Sequence, residues 1–481
     1  MKYTNNWING KWLDSASGDV SESINPANGE VLGTYSAASK TEAEMAINAA
    51  RNAFEKTDWC HTPRIREKVL LEFADRIEAE TDNLTALLTA ENGKLLAEAR
   101  PEVLAGISEA RYYAGLSRNI FGRVTEIEPS LYSILSREPL GVAGIIVPWN
   151  APIALLLRSL APAMAAGCAS VIKSAPQTAL FSAELFRILS EVSDLPDGIV
   201  NMFVEDGSDG AKEMVASPEV DIISYTGSTD VGKQIMAAGA PTLTRMNLEL
   251  GGNAPIILLA DVDLTTAVPA IVRAGMNMTG QYCCSACHIM VHESRLDETL
   301  SRFKEQMNSV VVGPGIESHS QMGPMINNAS RDRVINLVAS SQASDEIIIR
   351  GEAANGRLAC GSFLTPSLIQ IKDSNSTLYH NEIFGPVLCI NTFSDEDDAV
   401  FKANNTRFGL AASVWTKDLF AAQRVANRIK SGNIWINSHG RLFSEIENGG
   451  YKESGIGRLH GVEGLAEFMQ TKHISWSTKK I

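Results

Sequence analysis

The chain is poor in the features that mark secreted and nucleic-acid-binding proteins. Its 481 residues include only seven cysteines, an odd number that does not suggest a disulfide framework, and the first residues lack the apolar stretch of a signal peptide. Basic residues number 42 against 56 acidic ones, and the net charge of −14 disfavours nucleic acid and anionic membranes as partners. We therefore expect a protein of the reducing cytoplasm.

An uninterrupted hydrophobic run of membrane-spanning length is also missing. The longest nearly apolar run, residues 153–172, contains Arg158, Pro162 and Gly167, and it predicts a buried helix followed by a buried strand. Hydrophobic residues nevertheless make up 44% of the chain and charged residues 20%, which is the balance of a globular protein. The length predicts about two to four domains.

Short apolar runs alternate with longer helical patterns between residues 140 and 250. The runs are apolar along their whole length, as strands covered by helices on both faces are. Right-handed crossovers between such strands give a parallel sheet, and ligands bind beyond the carboxyl ends of its strands. The predicted strands are residues 141–147, 169–173, 199–204, 221–225 and 247–250.

Two further parts of the chain have their own patterns. Alternation resumes from about residue 261 to 450 and predicts a second α/β domain, whereas residues 1–120 begin with a polar strand-like segment and continue as amphipathic helices. Segments 130–137 and 472–477 alternate as half-buried strands do. Projecting strands commonly pair with another chain, so we expect a homodimer or a homotetramer. Strands of the second domain are predicted at residues 288–291, 362–370 and 433–437.

A glycine-rich segment at residues 227–233 has the spacing of a phosphate-binding P-loop. Gln234 stands where a hydroxyl should reach magnesium, which argues against a nucleotide hydrolase. The segment follows a predicted strand and opens a predicted helix, so it is either a cradle for a pyrophosphate or a simple glycine turn. The Gly-x-Gly-x-x-Gly fingerprint of dinucleotide-binding folds is absent.

Two motifs resemble parts of metal sites, and both are incomplete. His292 and Glu293 begin a zinc-binding helix motif, but Leu296 replaces its second histidine. Cys284 and Cys287 form at most half a zinc site, because no second cluster of cysteine and histidine completes it. We therefore expect no metal.

Three residues are candidates for catalysis, and two of them have a plainer structural interpretation. Cys283 is a lone cysteine, which is more often a small buried group than a nucleophile. Asn150 follows a predicted strand and could donate to an oxyanion or simply cap the next helix. Glu249 lies in an apolar run at a strand end, where a carboxylate is costly unless it is paired, protonated or used.

Seven short segments stand in a characteristic order over nearly the whole chain: Pro148-Trp149-Asn150, Lys173, Thr226-Gly227-Ser228-Thr229, Leu248-Glu249-Leu250-Gly251-Gly252, Gly280-Gln281-Tyr282-Cys283, Glu382-Ile383-Phe384-Gly385-Pro386 and Ser454-Gly455-Ile456-Gly457-Arg458. Together they resemble the aldehyde dehydrogenase superfamily, in its NAD(P)-dependent, hydrolytic type. The interval of 34 residues from Glu249 to Cys283 is similar to the family's spacing.

The resemblance implies an α/β fold with two Rossmann-like parallel-sheet domains, one for the cofactor and one for catalysis, and a small β oligomerisation element. It implies an NAD(P)-binding domain at residues 1–120 and 141–250 and a catalytic domain at residues 251–453. Residues 121–140 and 454–481 would form the oligomerisation arm and the C-terminal tail.

The resemblance also implies oxidation of an aldehyde to a carboxylic acid through a thiohemiacetal and a thioester on Cys283. Asn150 and the backbone N–H of Cys283 would stabilise the oxyanion, and Glu249 would activate water. Lys173 would bind the adenosine ribose, and Glu382 the nicotinamide ribose. The other implied cofactor contacts are Gly227 and Ser228 at the pyrophosphate, Phe384 beside the ring, and Trp149, Gly207 and Leu250 mainly through the backbone.

The chain departs from the family pattern at three places. Pro176 stands where many NAD-preferring relatives carry a glutamate that repels a 2′-phosphate, so we expect use of both NAD and NADP. Residues 447–450 read Glu-Asn-Gly-Gly where the family usually has Pro-Phe-Gly-Gly. Arg158 resembles an arginine of relatives that oxidise semialdehydes with an anionic tail or aromatic aldehydes. It would either anchor such a substrate or form a structural ion pair.

Two other functions remain as alternatives. In a CoA-acylating aldehyde dehydrogenase, CoA would accept the acyl group in place of water, and the presence of Glu249 argues against this. A non-catalytic binding or structural protein on the same fold is the second alternative. The joint presence of Cys283, Glu249 and Asn150 argues against that function.

Overall fold

The fold is seen in a computed structural model that describes residues 2–341, 345–373 and 375–479. Its first large sheet has eight strands, five of which are parallel and lie in the middle. Every strand predicted between residues 140 and 250 is present, with ends that differ by one or two residues. In spatial order the strands are Gly455–Ile456, Arg245–Glu249, Ile222–Thr226, Val142–Ile146, Ala169–Ser174, Val200–Val204, Asn6–Ile8 and Lys11–Leu13.

The second large sheet has seven strands, and all neighbours in it are parallel except at one edge. The predicted strand at residues 362–370 is shorter than expected and covers only Ser367–Gln370. Pro366 has no N–H for a sheet, and the N–H of Ser362 donates to Pro26 instead. The strands are Glu346–Ile349, Ser367–Gln370, Val387–Phe393, His288–His292, Pro255–Leu258, Ala411–Trp415 and Asn433–Ile436.

A three-stranded antiparallel sheet, here called the arm, consists of Arg123–Glu128, Leu131–Pro139 and Met469–Ser477. Strand Met469–Ser477 pairs with Leu131–Pro139 along its whole length, and strand Arg123–Glu128 is exposed throughout. Strands are thus present at residues 130–137 and 472–477 as predicted, but residues 472–477 are exposed and not half-buried. A second small sheet is formed by Lys2–Thr4, Val31–Ser36 and Val20–Ile24.

Helices cover both faces of the two large sheets, which bury separate apolar clusters. Helix Pro152–Ala166 is buried along most of its length and ends at Gly167, whose φ of +99° is left-handed, so the predicted buried helix and strand are confirmed. Within the described ranges, no helix is long and apolar enough to cross a membrane. The helices are Lys40–Lys56, Pro63–Ala79, Thr81–Asn92, Leu96–Ser117, Pro152–Ala166, Ala179–Ser190, Asp209–Ala216, Thr229–Gly239, Leu264–Met276, Leu296–Asn308, Asn328–Ala339, Thr377–His380, Glu396–Asn404, Leu419–Ala426 and Gly461–Glu467.

Candidate active site

Glu249 is the last residue of its strand, and the neighbouring strand ends beside it at Thr226. The Glu249 side chain is only 4% exposed, and its Oε1 atom has no hydrogen-bond partner among the described residues. Burial raises the pKa of Glu249 to about 7, although the positive charges of Arg158 and Arg458 act in the opposite direction. The carboxyl can therefore gain or lose a proton near neutral pH.

Arg158 lies underneath this carboxyl, on helix Pro152–Ala166. Its Nη1 atom is 3.7 Å from Oε2 of Glu249, and its Nη2 atom donates to Oγ1 of Thr226 at 2.9 Å. The residue is 3% exposed. The sequence left two interpretations of Arg158, a substrate anchor and a structural ion pair. The contact with Glu249 agrees with the ion pair.

Cys283 lies in a loop between helix Leu264–Met276 and strand His288–His292. The thiol is half-buried, and its Sγ atom is 4.0 Å from that of Cys284. Nδ2 of Asn150 donates to the backbone oxygen of Gln281 at 3.1 Å, so Asn150 contacts the loop two residues before the cysteine. The cysteine and the amide come from the two different sheet regions and meet here.

The loop before Cys283 has a strained backbone. Met278 and Thr279 have left-handed φ values of +49° and +58°, and Gly280 follows with +70°. A Cβ atom on Gly280 would lie 2.2 Å from the backbone oxygen of Gly385. Glycine is therefore required where this loop contacts segment 382–386.

A buried charged cluster supports both Asn150 and the loop, and sequence reasoning missed it. Lys94 forms an ion pair with Glu102 and donates to the backbone oxygen of Asn150 at 2.7 Å. Glu98 accepts from the backbone N–H of Met278 at 2.8 Å. The only local signal was the pair of acidic residues at 98 and 102, four positions apart on one helix face.

His439 was also missed. Its Nε2 atom lies 2.6 Å from the backbone oxygen of Cys284, and because a carbonyl can only accept, Nε2 carries the proton. Its Nδ1 atom lies 3.2 Å from Oγ of Ser413. Burial lowers the pKa of His439 to about 4, so the ring is neutral at physiological pH and holds the loop just after Cys283.

Two predicted cofactor residues from different parts of the chain meet near this loop. The rings of Trp149 and Phe384 pack edge to face, with centroids 5.9 Å apart. Glu382 is half-buried and accepts from the backbone N–H of Gly252 at 3.3 Å. Burial raises the pKa of Glu382 to about 7.

The glycine-rich segment forms the predicted turn before helix Thr229–Gly239. Ser228 caps this helix and accepts from the N–H of Val231, so the cap satisfies one of the backbone N–H groups of the first turn. Lys233, the lysine of the P-loop-like spacing, pairs with Glu453 at 2.8 Å. Because Lys233 is paired, a pyrophosphate at this turn would be held by the remaining backbone N–H groups of the helix N-terminus.

The remaining predicted cofactor residues lie along the same sheet edge. Lys173 is in strand Ala169–Ser174; burial lowers its pKa, and the charge of Glu205 raises it. Gly207 is exposed, and a Cβ atom there would meet nothing within 4 Å. Leu250 donates its N–H to Ser454 at 2.9 Å. Pro176 begins the short 3-10 helix Pro176–Thr178.

Two mainly parallel sheets bring a thiol, a carboxyl, an amide and a helix N-terminus to the ends of neighbouring strands, an arrangement typical of α/β enzymes. The chain belongs to the aldehyde dehydrogenase family, oxidoreductases that act on aldehydes, because the family's model matches residues 12–474. The resemblance inferred from the sequence is thus confirmed.

Individual relatives match over nearly the full length. The chain is 34% identical to aldehyde dehydrogenase family 2 member C4 of Arabidopsis thaliana, over 98% of this chain and 95% of the relative. It is 33% identical to betaine aldehyde dehydrogenase of Bacillus subtilis, over 98% and 97%. A crystal structure of betaine aldehyde dehydrogenase from Staphylococcus aureus in complex with NAD+ superposes with a TM-score of 0.97 at 34% identity, covering 99% of this chain and 96% of that one.

Proposed function

We propose that the protein oxidises an aldehyde to a carboxylic acid with NAD or NADP, and that Cys283, Glu249 and Asn150 carry out the catalysis. The observation that carries this proposal is the state of Glu249, a buried carboxyl with a free oxygen and a pKa of about 7. The contact with Cys283 and burial raise the pKa of the Cys284 thiol, and the charge of Glu249 adds to this effect, so the carboxyl is near the cysteine loop. A base with these properties suits the activation of water at neutral pH.

The thiolate of Cys283 attacks the carbonyl carbon and forms a tetrahedral thiohemiacetal. The amide of Asn150 and the backbone N–H of Cys283 then donate to the oxyanion, each with a contribution of about 3 kcal/mol. One hydrogen of the Asn150 amide donates to the backbone oxygen of Gln281, which leaves the second for the oxyanion. A bound nicotinamide supplies the acceptor for the hydride, and a thioester on Cys283 remains.

Glu249 takes a proton from water as the water attacks the thioester, and it returns that proton to the departing sulfur, so that the carboxylic acid and the free thiol are released. Arg158 donates to Thr226 and faces Glu249 at 3.7 Å, which favours the ionised form of this base. Hydrolysis of the thioester by water therefore depends on Glu249. Transfer of the acyl group to CoA, in the CoA-acylating alternative, does not need this residue.

Substitution of Glu249 tests this proposal. In Glu249→Gln we expect a burst of about one NAD(P)H per site, followed by turnover at least about a hundredfold slower than in the unchanged protein. Glu305→Gln, at an exposed position, is the matched control, and Cys283→Ala should abolish the burst. Formation of acyl-CoA when CoA is added would favour the CoA-acylating alternative, and absence of NAD(P)H with every aldehyde would favour a non-catalytic protein.

The proposed cofactor contacts are Lys173 and Glu382 at the two riboses, and Gly227 and Ser228 at the pyrophosphate. Support comes from the helix N-terminus at Ser228 and from the NAD+ complex of the relative from Staphylococcus aureus. Phe384 and Trp149 would border the nicotinamide, with backbone contacts from Gly207 and Leu250.

We infer dual use of NAD and NADP from Pro176, because no carboxylate at this position repels a 2′-phosphate. The measurement is kcat/KM with each cofactor. We expect the two values to differ by less than about a thousandfold, which is roughly 4 kcal/mol. In Pro176→Glu the preference for NAD should rise, and an unchanged ratio would contradict the inference.

For the substrate we propose an aromatic aldehyde or a semialdehyde with an anionic tail. Arg158 resembles the arginine of relatives with such substrates, but its contact with Glu249 agrees with a structural ion pair, so the class rests on the resemblance alone. A panel of aromatic, aliphatic and carboxylate-bearing aldehydes, run with both cofactors, tests the class.

We also propose a division of the chain into a cofactor-binding domain (residues 1–120 and 141–250), a catalytic domain (251–453), and an arm with a C-terminal tail (121–140 and 454–481). Assembly through the arm into a homodimer or homotetramer is supported by the exposed edge strand Arg123–Glu128.

A further inference from the structure

A cavity of about 800 Å³ opens between helix Leu264–Met276 and the loop at residues 437–441. Tyr282, the residue immediately before Cys283, lines it, and so does His439, which contacts the backbone of Cys284. Consecutive Cα atoms are about 3.8 Å apart, so the backbone of Tyr282 in the cavity wall adjoins the backbone of Cys283. Cys283 itself is not in the lining, so a molecule in the cavity must extend beyond it to reach the thiol.

The charged groups of the cavity are mostly positive, in a chain whose net charge is −14. Arg273 and Arg441 are exposed, and neither forms an ion pair with any residue that the structure describes. Lys417 adds a third cation. The one carboxylate in the lining is Asp263, which caps helix Leu264–Met276 by accepting from the N–H of Thr265 at 3.0 Å.

Two other polar groups of the lining, His439 and Tyr282, carry no negative charge that would pair with these cations. His439 is neutral, with a pKa of about 4, and donates to the backbone. Burial raises the pKa of Tyr282, so its hydroxyl remains a neutral hydrogen-bond donor. Two guanidinium groups without partners and a neutral donor together form a set that matches a carboxylate.

We propose that this cavity binds the carboxylate of a substrate that carries both an aldehyde and a carboxylate, with Arg273 and Arg441 as its ligands. The inference rests on the proposed function, because the aldehyde end must reach Cys283. It assigns the anion to two exposed arginines, whereas Arg158 is buried and already faces Thr226 and Glu249. A cationic aldehyde such as betaine aldehyde would be repelled by the same groups.

Steady-state kinetics with 4-carboxybenzaldehyde and its uncharged analogue 4-methylbenzaldehyde test the inference. We expect a higher kcat/KM for the carboxylate and the lowest value for betaine aldehyde. In Arg273→Leu and in Arg441→Leu, the ratio of kcat/KM for the carboxylate over the methyl compound should fall about tenfold or more. Arg350→Leu removes an exposed arginine outside the cavity and should leave the ratio unchanged. Equal ratios in the unchanged protein and both cavity variants would overturn the inference.

A binding measurement separates this inference from the proposed chemistry. Calorimetry of 4-carboxybenzaldehyde with Cys283→Ala needs no turnover, and we expect affinity to fall about tenfold when Arg273→Leu or Arg441→Leu is added. Equal affinity in all three variants would overturn the cavity assignment even if the enzyme is active. If no aldehyde is oxidised and this difference in affinity is still found, the proposed function fails and the anion site stands.

Discussion

At the scale of single residues, the protonation of Glu249 determines the pH range of the proposed reaction. The pKa of this carboxyl is raised to about 7, and only the ionised form can take a proton from water. We therefore expect the rate of thioester hydrolysis to fall about tenfold per pH unit below pH 7 and to level off above it. A pH profile of single-turnover hydrolysis checks this, and a rate independent of pH between 5 and 8 would contradict it.

Arg158 offers a direct way to move that profile. Its positive charge lowers the pKa of Glu249 against the effect of burial. In Arg158→Leu the pKa should rise, so the fall in rate should begin at a higher pH. Arg158→Lys retains the charge and is expected to shift the profile less. If Arg158→Leu instead changes only the KM for anionic aldehydes, the arginine anchors substrate and does not adjust the base.

How far the sequence predicts the site depends on how local each signal is. Glu249 could be predicted as a site residue because its carboxyl stands among apolar residues at a strand end, where burial of a charge is costly. Lys94 and His439 have no such local conflict. Their partners are backbone groups at Asn150 and Cys284, which only the folded chain brings near them.

At the scale of elements, the ion pair of Lys94 and Glu102 joins the start of helix Leu96–Ser117 to the residues around Asn150. Lys94→Met leaves Glu102 buried without its partner, and we expect a loss of about 3–5 kcal/mol in stability. The double variant Lys94→Met with Glu102→Leu should recover part of the loss, because the unpaired charge is gone.

Thermal unfolding midpoints of the two variants and the unchanged protein measure this difference. Aldehyde oxidation should be impaired in both variants, since Asn150 loses the contact to its backbone oxygen. A double variant that is less stable than Lys94→Met would show that the pair itself, and not the unpaired acid, determines the effect.

The strands that the sequence predicted and those it missed differ in their surroundings. Val142–Ile146 and Ile222–Thr226 lie in a regular alternation with helices, which indicates their type. Pro255–Leu258 and Ala411–Trp415 are buried runs of four and five residues, and periodicity cannot separate such short runs from buried helical segments. The strands that the sequence did predict were enough to indicate parallel sheets. The order of all the strands within each sheet could not be predicted.

At the scale of the whole molecule, the arm is the element from which assembly is expected. Ile474 is 48% exposed, although it lies in a strand paired along its whole length. If a second copy covers this face, Ile474→Asp should shift the protein toward monomers in sedimentation velocity. Leu243→Asp, at a position that is 88% exposed on another surface, is the control. A monomer before substitution, or an unchanged distribution after it, would contradict assembly through the arm.

The contact between Glu98 and Met278 joins residues 180 positions apart in the chain. The bend that presents Cys283 therefore cannot take its native shape until two distant stretches of polypeptide have come together. During translation, Cys283 is synthesised long after Glu98. The proposed reactivity of Cys283 therefore depends on tertiary folding, which brings the two parts of the chain together. Folding intermediates that lack this contact should not oxidise aldehydes.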